Sequence, residues 1–268
     1  MHITFYWLSY LITFLLGYLF IYWISQSSFL DKFPRLQLAL KTKLEDLGLL
    51  VLIWVLVGGR IWYFVPLGRD YLIAHWMDLF KIWQGGMAFV GGAIGATLGV
   101  LLFVKLNKLS LIEFLVLMDL IVLIVPVGIF LGRLGNFFNQ EIVGIPLKNI
   151  SGIAKEILEN LGLTYTYSGW GVAPRVNINF LEALWEGVIV GIILYLTFFK
   201  KYKSAPYPWM LAALFLIFYG IVRFFLEFWK YYESKFFGDL SLAQVFMIWF
   251  VILWVILYRL SYKYEKAS

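Results

Sequence analysis

Cysteine is absent from this chain of 268 residues, and histidine occurs only twice. The chain therefore has no disulfide, no thiolate metal site and no cysteine nucleophile, and two histidines are too few for a histidine-rich metal site. Charge is also scarce, because Asp, Glu, Lys and Arg make up only 14% of the residues. We expect neither a metal nor a cofactor, so a few ionisable side chains must carry any chemistry.

Apolar side chains are in excess, at 62% of the residues. Soluble globular domains have roughly 45–50% apolar and about 25% charged residues. This composition indicates a polytopic membrane protein. The net charge of +6 is then read as positive-inside loops and attraction to anionic lipid, and we expect membrane lipids rather than nucleic acid as partners.

Seven apolar segments are each long enough to cross the hydrocarbon core, which takes about 20 residues in a helix. Helices are expected because a lipid-exposed backbone must satisfy its own hydrogen bonds. The N-terminal segment lacks a basic n-region and a small-residue cleavage site, so we interpret it as a retained span. The predicted fold is an all-α integral membrane protein with a single membrane domain over 1–268 and spans at about 3–24, 47–67, 82–104, 112–132, 180–199, 206–229 and 240–258.

The longest connection, residues 133–179, is predicted to form a small extramembrane cap. Lysines and arginines of the short loops collect on the opposite side of the membrane, at residues 32–43, 105–108, 200–203 and 259–266. Because such residues mark the cytoplasmic side, we expect the N-terminus outside, the C-terminus in the cytoplasm and the cap facing outward.

Seven ionisable residues lie in or at the edges of the spans, where each charge is costly and usually marks a functional route. They are Arg60, Asp119, Arg133, Glu182, Glu186, Arg223 and Glu227. The three arginines are predicted at one depth, under the outer headgroups. Guanidinium groups there would bind a phosphate bidentately.

A structural polar network is the alternative reading of the same charges. In that reading Arg223 and Glu227, four residues apart on one helical face, form a buried pair. Asp119 would serve a polar contact between helices, while Glu182 and Glu186 would brace neighbouring helices. Charge placement alone leaves both interpretations open. The repeat of glycines at 91, 95 and 99 predicts close helix packing, whereas the pair at 85 and 86 could offer backbone N–H groups to phosphate.

Several stretches resemble one known family, in the same order along the chain. The segment "LGRLGNFFNQEIVG" closely resembles the signature of the prolipoprotein diacylglyceryl transferases. The resemblance extends from about Tyr6 to Ile252 and includes "VGGRIWYF", "LFKIWQGGMAFVGGAIG", "DLIVLIVPVGIFLGR", "APRVNINFLEALWEG" and "YGIVRFFLEFWK".

The resemblance implies an enzyme that moves the diacylglyceryl group of phosphatidylglycerol to the lipobox cysteine thiol of a preprolipoprotein, with release of glycerol 1-phosphate. It implies a bacterial cytoplasmic (inner) membrane location and an active site toward the outer leaflet. We expect a monomer. The implied catalytic residues are Arg133, Arg223, Glu141 and Tyr6. The implied phosphatidylglycerol-binding residues are Arg133, Asn136, Arg60, Asn139, Glu227, Gly86 and Tyr219.

Two departures from the family pattern leave other functions open. The family's histidines are replaced by Val90 and Val176, and valine cannot accept the thiol proton. One alternative is therefore a catalytically altered or inactive lipid-binding homologue. A transporter is the other, although the charges gather near one face and no internal repeat is found.

Overall fold

The fold is taken from a computed structural model, which describes residues 3–65, 71, 73, 75–81, 86–202, 208–231 and, with gaps, 240–255. The chain divides into two compact units. The first comprises Met1–Leu16 and Asp119–Ser268, and the second comprises Gly17–Met118.

Helices dominate the described residues. The α-helices are α1 (Ile3–Ser25), α2 (Pro34–Phe64), α3 (Phe89–Leu106), α4 (Leu111–Val122), α5 (Val125–Phe138), α6 (Ile153–Asn160), α7 (Ile178–Glu182), α8 (Val190–Thr197) and α9 (Met210–Leu226). The stretches Ala183–Ile189 and Phe198–Tyr202 are π-helical and continue α7 and α8. Short 3-10 turns cover Ser28–Lys32, Trp76–Phe80, Leu147–Asn149 and Glu227–Trp229. Two short strands, β1 (Thr164–Tyr165) and β2 (Arg175–Val176), pair antiparallel.

Six helical segments of the described residues are long and apolar enough to cross a membrane. They are Leu8–Ser25, Pro34–Phe64, Phe89–Leu106, Leu111–Phe138, Ile178–Tyr202 and Met210–Trp229. This confirms apolar helices at the first six predicted spans and makes the chain a multi-pass membrane protein. The seventh predicted span, 240–258, falls largely outside the described residues.

Some helix bounds differ from the predicted spans for clear physical reasons. Helix α2 begins well before position 47, because Pro34 at its first position needs no backbone N–H partner there. Helix α3 begins at Phe89 rather than 82, after Gly86 has taken a left-handed conformation with φ of 76°. Helix α5 continues beyond 132 to Phe138, because the polar side chains of its last turns are buried against partners.

Helices α2 and α3 pack together closely in the second unit. A Cβ atom on Gly95 would lie 2.6 Å from the carbonyl carbon of Trp54, so the two backbones are in direct contact there. Gly91, Gly95 and Gly99 are all buried, which confirms the predicted role of this repeat in helix packing.

A buried carboxylate ties helices of the first unit together. Asp119 on α4 is fully buried and accepts a hydrogen bond of 2.8 Å from the Tyr202 hydroxyl. It also accepts one of 2.8 Å from the backbone N–H of Ala212, in the first turn of α9. The predicted contact of Asp119 between helices is thus confirmed.

The cap between α5 and α7 has its own small core. Leu158 of α6 packs with Leu147, Val176, Ile178 and Leu181, so the cap core is continuous with the start of a membrane span. The backbone of residues 143–145 pairs with that of 229–231, through hydrogen bonds of 2.9 Å from Ile145 N to Trp229 O and 3.0 Å from Tyr231 N to Val143 O. This pairing fixes the chain that follows α9 against the cap.

The α2–α3 packing gives the first prediction. A Gly95→Ala change should destabilise the chain by roughly 1–3 kcal/mol, because the added methyl group overpacks backbone against backbone. The matched control is Gly92→Ala, whose Cβ would lie 3.7 Å from a methyl group of Val55, an ordinary contact. Thermal unfolding in detergent should show a lower Tm for Gly95→Ala only. Equal Tm values for the two variants would contradict the close packing.

Candidate active site

Three cationic and three carboxylate side chains meet in the first unit. They come from α5, from the helix that begins at Ile178, and from the end of α9. We call them the ionic cluster: Arg133, Glu182, Glu186, Arg223, Glu227 and Lys230.

Glu182 is the hub of the ionic cluster. One carboxylate oxygen lies 3.1 Å from Nε of Arg133. The other contacts Nη1 of Arg223 and lies 2.7 Å from Nζ of Lys230. One fully buried carboxylate therefore contacts three cations that would otherwise repel one another.

Glu186 binds both arginines again, from one turn further along the same helix. Its oxygens lie 3.2 Å from Nη2 of Arg133 and 3.3 Å from Nη1 of Arg223. Glu186 belongs to the π-helical stretch Ala183–Ile189. Such π segments are rare and often occur at functional sites. Here the helix directs two carboxylates, four residues apart, at the same two guanidinium groups.

Glu227 completes the cluster on the side of α9. It lies 3.3 Å from Nη2 of Arg223 and 3.2 Å from Nζ of Lys230. Its other oxygen accepts a hydrogen bond of 3.1 Å from the Ser241 hydroxyl. The predicted pairing of Arg223 with Glu227 on one helical face is therefore present, but it is one contact of a larger network.

Exposure within the cluster is uneven, and this decides what the cluster can bind. The carboxylate side chains are 0–1% exposed, whereas Arg133 and Arg223 retain 14% and 12% of their side-chain surface. Each guanidinium carries five N–H donors, and its carboxylate partners are almost fully buried. The accessible surface of the cluster therefore belongs mainly to its two arginine side chains, and we call this surface the cationic edge.

Other predicted site residues of the first unit lie at the end of α5 or against the cluster. Asn136 and Asn139, in and just after the last turn of α5, are buried. Tyr219 on α9 is 5% exposed and interacts electrostatically with both arginines. Glu141 is exposed, and its backbone carbonyl accepts a hydrogen bond of 2.9 Å from Asn179.

Two tyrosines lie near the start of α1. Tyr6 is the predicted site residue, but its side chain lies outside the described residues. Tyr10, one helical turn further on, interacts electrostatically with Arg133 and Glu141. The sequence-based prediction missed Tyr10, and the spacing of four residues from Tyr6 was the available signal.

Arg60 and Gly86 belong to the second unit, so the predicted meeting of three arginines stays a prediction. Arg60 is 5% exposed, and its N–H donors bind backbone carbonyls. It lies 3.0 Å from the Gly86 oxygen, 3.3 Å from that of Leu79 and 3.0 Å from that of Lys81. The sequence suggests that the backbone N–H of Gly86 could bind phosphate. In the structure, the carbonyl of Gly86 accepts a hydrogen bond from Arg60.

Lys230 was missed as a cluster member, and Glu182 and Glu186 were given only a bracing role. Lys230 follows Glu227 by three residues and Arg223 by seven. Those intervals put all three on one helical face. The side chain of Lys230 is in fact 2% exposed.

Val90 and Val176, the positions at which the family resemblance implies histidines, differ in their surroundings. Val176 is fully buried in the cap core, and its N–H donates to the carbonyl of Ile145 at 3.1 Å. Nearby, burial raises the pKa of Tyr167 to about 12, so its hydroxyl stays protonated at neutral pH. Val90 is half-buried on α3 in the second unit. No group of three or more His, Asp or Glu suited to a metal ion occurs in the part of the chain that is described.

Comparison with known proteins decides the family. A family model described as prolipoprotein diacylglyceryl transferase matches residues 1–260. The chain belongs to the prolipoprotein diacylglyceryl transferase family. Several relatives carry the name phosphatidylglycerol–prolipoprotein diacylglyceryl transferase. The one from Ehrlichia canis (strain Jake) is 31% identical over 264 residues, covering 97% of this chain and 93% of the relative.

Two further relatives of the same name extend this picture. The protein of Ehrlichia ruminantium (strain Welgevonden) is 33% identical over 260 residues, covering 94% of this chain and 91% of its own length. The protein of Wolbachia pipientis wMel is 30% identical over 279 residues, covering 99% of this chain and 95% of its own length. The resemblance to the diacylglyceryl transferase family inferred from the sequence motifs is confirmed over nearly the whole chain.

The cluster gives the second prediction. A Glu182→Gln change keeps the side-chain size but leaves three buried cations with two carboxylates, and breaking a buried pair costs about 3–5 kcal/mol. Thermal unfolding should show a clearly lower Tm. The control is Glu159→Gln, because Glu159 is half exposed and lies 3.9 Å from Lys155, a surface pair worth about 0–1 kcal/mol. A Glu182→Gln protein as stable as the control would contradict the hub role.

Proposed function

We propose that this chain is a phosphatidylglycerol–prolipoprotein diacylglyceryl transferase. A thiolate from the lipobox cysteine of the substrate attacks the glyceryl carbon that bears the phosphate ester. The carbon–oxygen bond breaks, glycerol 1-phosphate leaves with the electron pair, and a thioether forms. The proton of the thiol goes to a base or to water before the attack.

The observation that carries this proposal is the cationic edge of the ionic cluster. Arg133 and Arg223 come from different helices and share Glu182 and Glu186 as buried partners. A phosphate monoester gains negative charge as it leaves, and fixed donors aimed at developing charge are usually a large catalytic contribution. Two guanidinium groups held by buried carboxylates meet that requirement.

The remaining predicted residues receive roles around this centre. Asn136, Asn139 and Tyr219 bind the headgroup beside the arginines, and Glu227 orients Arg223. Glu141 and Tyr6 are the candidates for receiving the thiol proton. Cations near the thiol also lower its pKa and raise the reactive thiolate fraction.

Arg60 and Gly86 remain proposed contacts of the phosphatidylglycerol headgroup. Four of the hydrogen bonds of Arg60 go to backbone carbonyls. This role therefore requires that Arg60 attract the phosphate by its charge.

The proposed setting is the bacterial cytoplasmic membrane, with the N-terminus and the cap outside and the C-terminus in the cytoplasm. The distribution of Lys and Arg among the short loops supports this orientation. It brings the cationic edge toward the outer leaflet, where the lipobox of an exported preprolipoprotein is presented. The working form is proposed to be a monomer.

The third prediction tests the arginines in cells. In cells depleted of their own enzyme, this chain should restore lipid labelling of a lipobox substrate. Arg223→Ala should reduce the rate of labelling by about 10²–10³, because it removes donors to the leaving phosphate. Lys155→Gln, which removes an exposed cation of the cap, should label normally. If the wild-type chain is present in the membrane but does not restore lipid labelling, the proposal is wrong.

The fourth prediction concerns the missing histidine. Because the cationic edge already favours the thiolate, Val90→His should change turnover by less than about tenfold, well below the roughly 10²–10⁴-fold that a positioned general base contributes. Val176→His should instead lower stability, since it buries an imidazole in an apolar core. A gain of a hundredfold in Val90→His would indicate a decayed site that needs a base at position 90.

A further inference from the structure

A second cationic site lies in the second unit, at the end of α3 and the start of α2. There a cavity of about 390 Å³ is lined by three cations, Arg35, Lys43 and Lys108, together with Leu38, Thr42 and Asn107. Ligand pockets are typically about 300–1,000 Å³, so the space is large enough for a phosphate-bearing headgroup. Among the residues that the structure describes, no acidic side chain lines it.

The three cations of this cavity form no ion pair among the described residues. The Thr42 hydroxyl donates to the carbonyl of Leu38 at 2.8 Å, so its one hydrogen is already in use. Asn107 uses one amide hydrogen on the carbonyl of Phe103 at 2.9 Å and retains the other. The lining is therefore rich in donors and poor in competing negative charge.

The backbone at two of the cations is unusual. Lys108 adopts the left-handed conformation with φ of 53°, and the N–H of Leu109 binds the carbonyl of Val104 at 3.0 Å. This is the helix ending in which glycine is the usual residue, so a lysine here stands where a side chain is disfavoured. Lys43 also leaves helical geometry, with φ of −140° and ψ of 30°, inside α2. A left-handed conformation that persists at a lysine, as at Lys108, points to function.

We propose that this cavity binds the phosphate of an anionic phospholipid headgroup. Three cations and a side-chain amide donor around one space are the chemistry that recognises phosphate. The cavity sits where the apolar helix α3 ends, and exposed apolar side chains flank it, with Leu38 63% and Leu106 64% exposed. Basic pockets beside membrane helices on the cytoplasmic side bind anionic headgroups in this way. This site is separate from the ionic cluster and does not depend on the proposed reaction.

Native mass spectrometry of the full chain in detergent tests the site directly. The probe is phosphatidic acid, with phosphatidylcholine as a zwitterionic lipid and inorganic phosphate as a soluble competitor. We expect Arg35→Gln/Lys108→Gln to weaken retention of phosphatidic acid at least tenfold. The control Lys41→Gln/Lys105→Gln removes the same charge from exposed residues nearby that do not line the cavity and should change retention less than twofold.

The variant Lys108→Gly separates binding from folding. Glycine suits the left-handed position, so the Tm should stay equal or rise while retention of phosphatidic acid falls several-fold. Displacement by millimolar inorganic phosphate would identify free phosphate as the ligand source, and resistance to it would identify the lipid headgroup. Equal loss of phosphatidic acid from cavity and control variants would overturn the proposal, as would equal retention of phosphatidylcholine.

Discussion

One buried carboxylate, that of Glu182, makes the candidate active site possible. An ion taken from water into the protein interior costs several kcal/mol even after relaxation, and pairing recovers this only with close geometry. Arg133, Arg223 and Lys230 all lie against Glu182, and Glu186 and Glu227 supply the remaining negative charge. Three cations balanced by three carboxylates can be buried together, whereas the two arginines alone would repel each other.

This balance also explains why the site faces in one direction. The carboxylates are almost fully buried, so the residual exposure of these ion pairs belongs to the arginine side chains. An anion that reaches them meets oriented donors rather than flexible surface side chains. The cap contributes to this order, because its pairing with residues 229–231 fixes the backbone that carries Lys230.

Much of the fold could be predicted from the sequence, because lipid allows few structures. Apolar runs of about 20 residues must be helices, and six such helices occur at the predicted places. The helix bounds could not be predicted from hydropathy alone. They depend on local features such as Pro34 at the start of α2 and the ionic partners that keep the polar end of α5 helical.

The arginines of the candidate site could be predicted from the sequence. The side chains that pair with them could be predicted less well. A buried arginine is conspicuous in an apolar span, but sequence cannot tell which carboxylate will reach it from another helix. The sequence therefore predicts only a bracing role for Glu182 and Glu186, and the predicted site leaves out Lys230, which lies at the end of a span. Hydropathy marks which charges are costly, while only tertiary packing determines how they are neutralised.

The most direct measurement of the central claim uses purified chain, a lipobox peptide and phosphatidylglycerol labelled in its headgroup glycerol. The account predicts one glycerol 1-phosphate released for each thioether formed, at a rate that collapses when both Arg133 and Arg223 are replaced by Gln. Release at an unchanged rate from the doubly substituted protein would contradict it, because the phosphate would then leave without the two guanidinium groups.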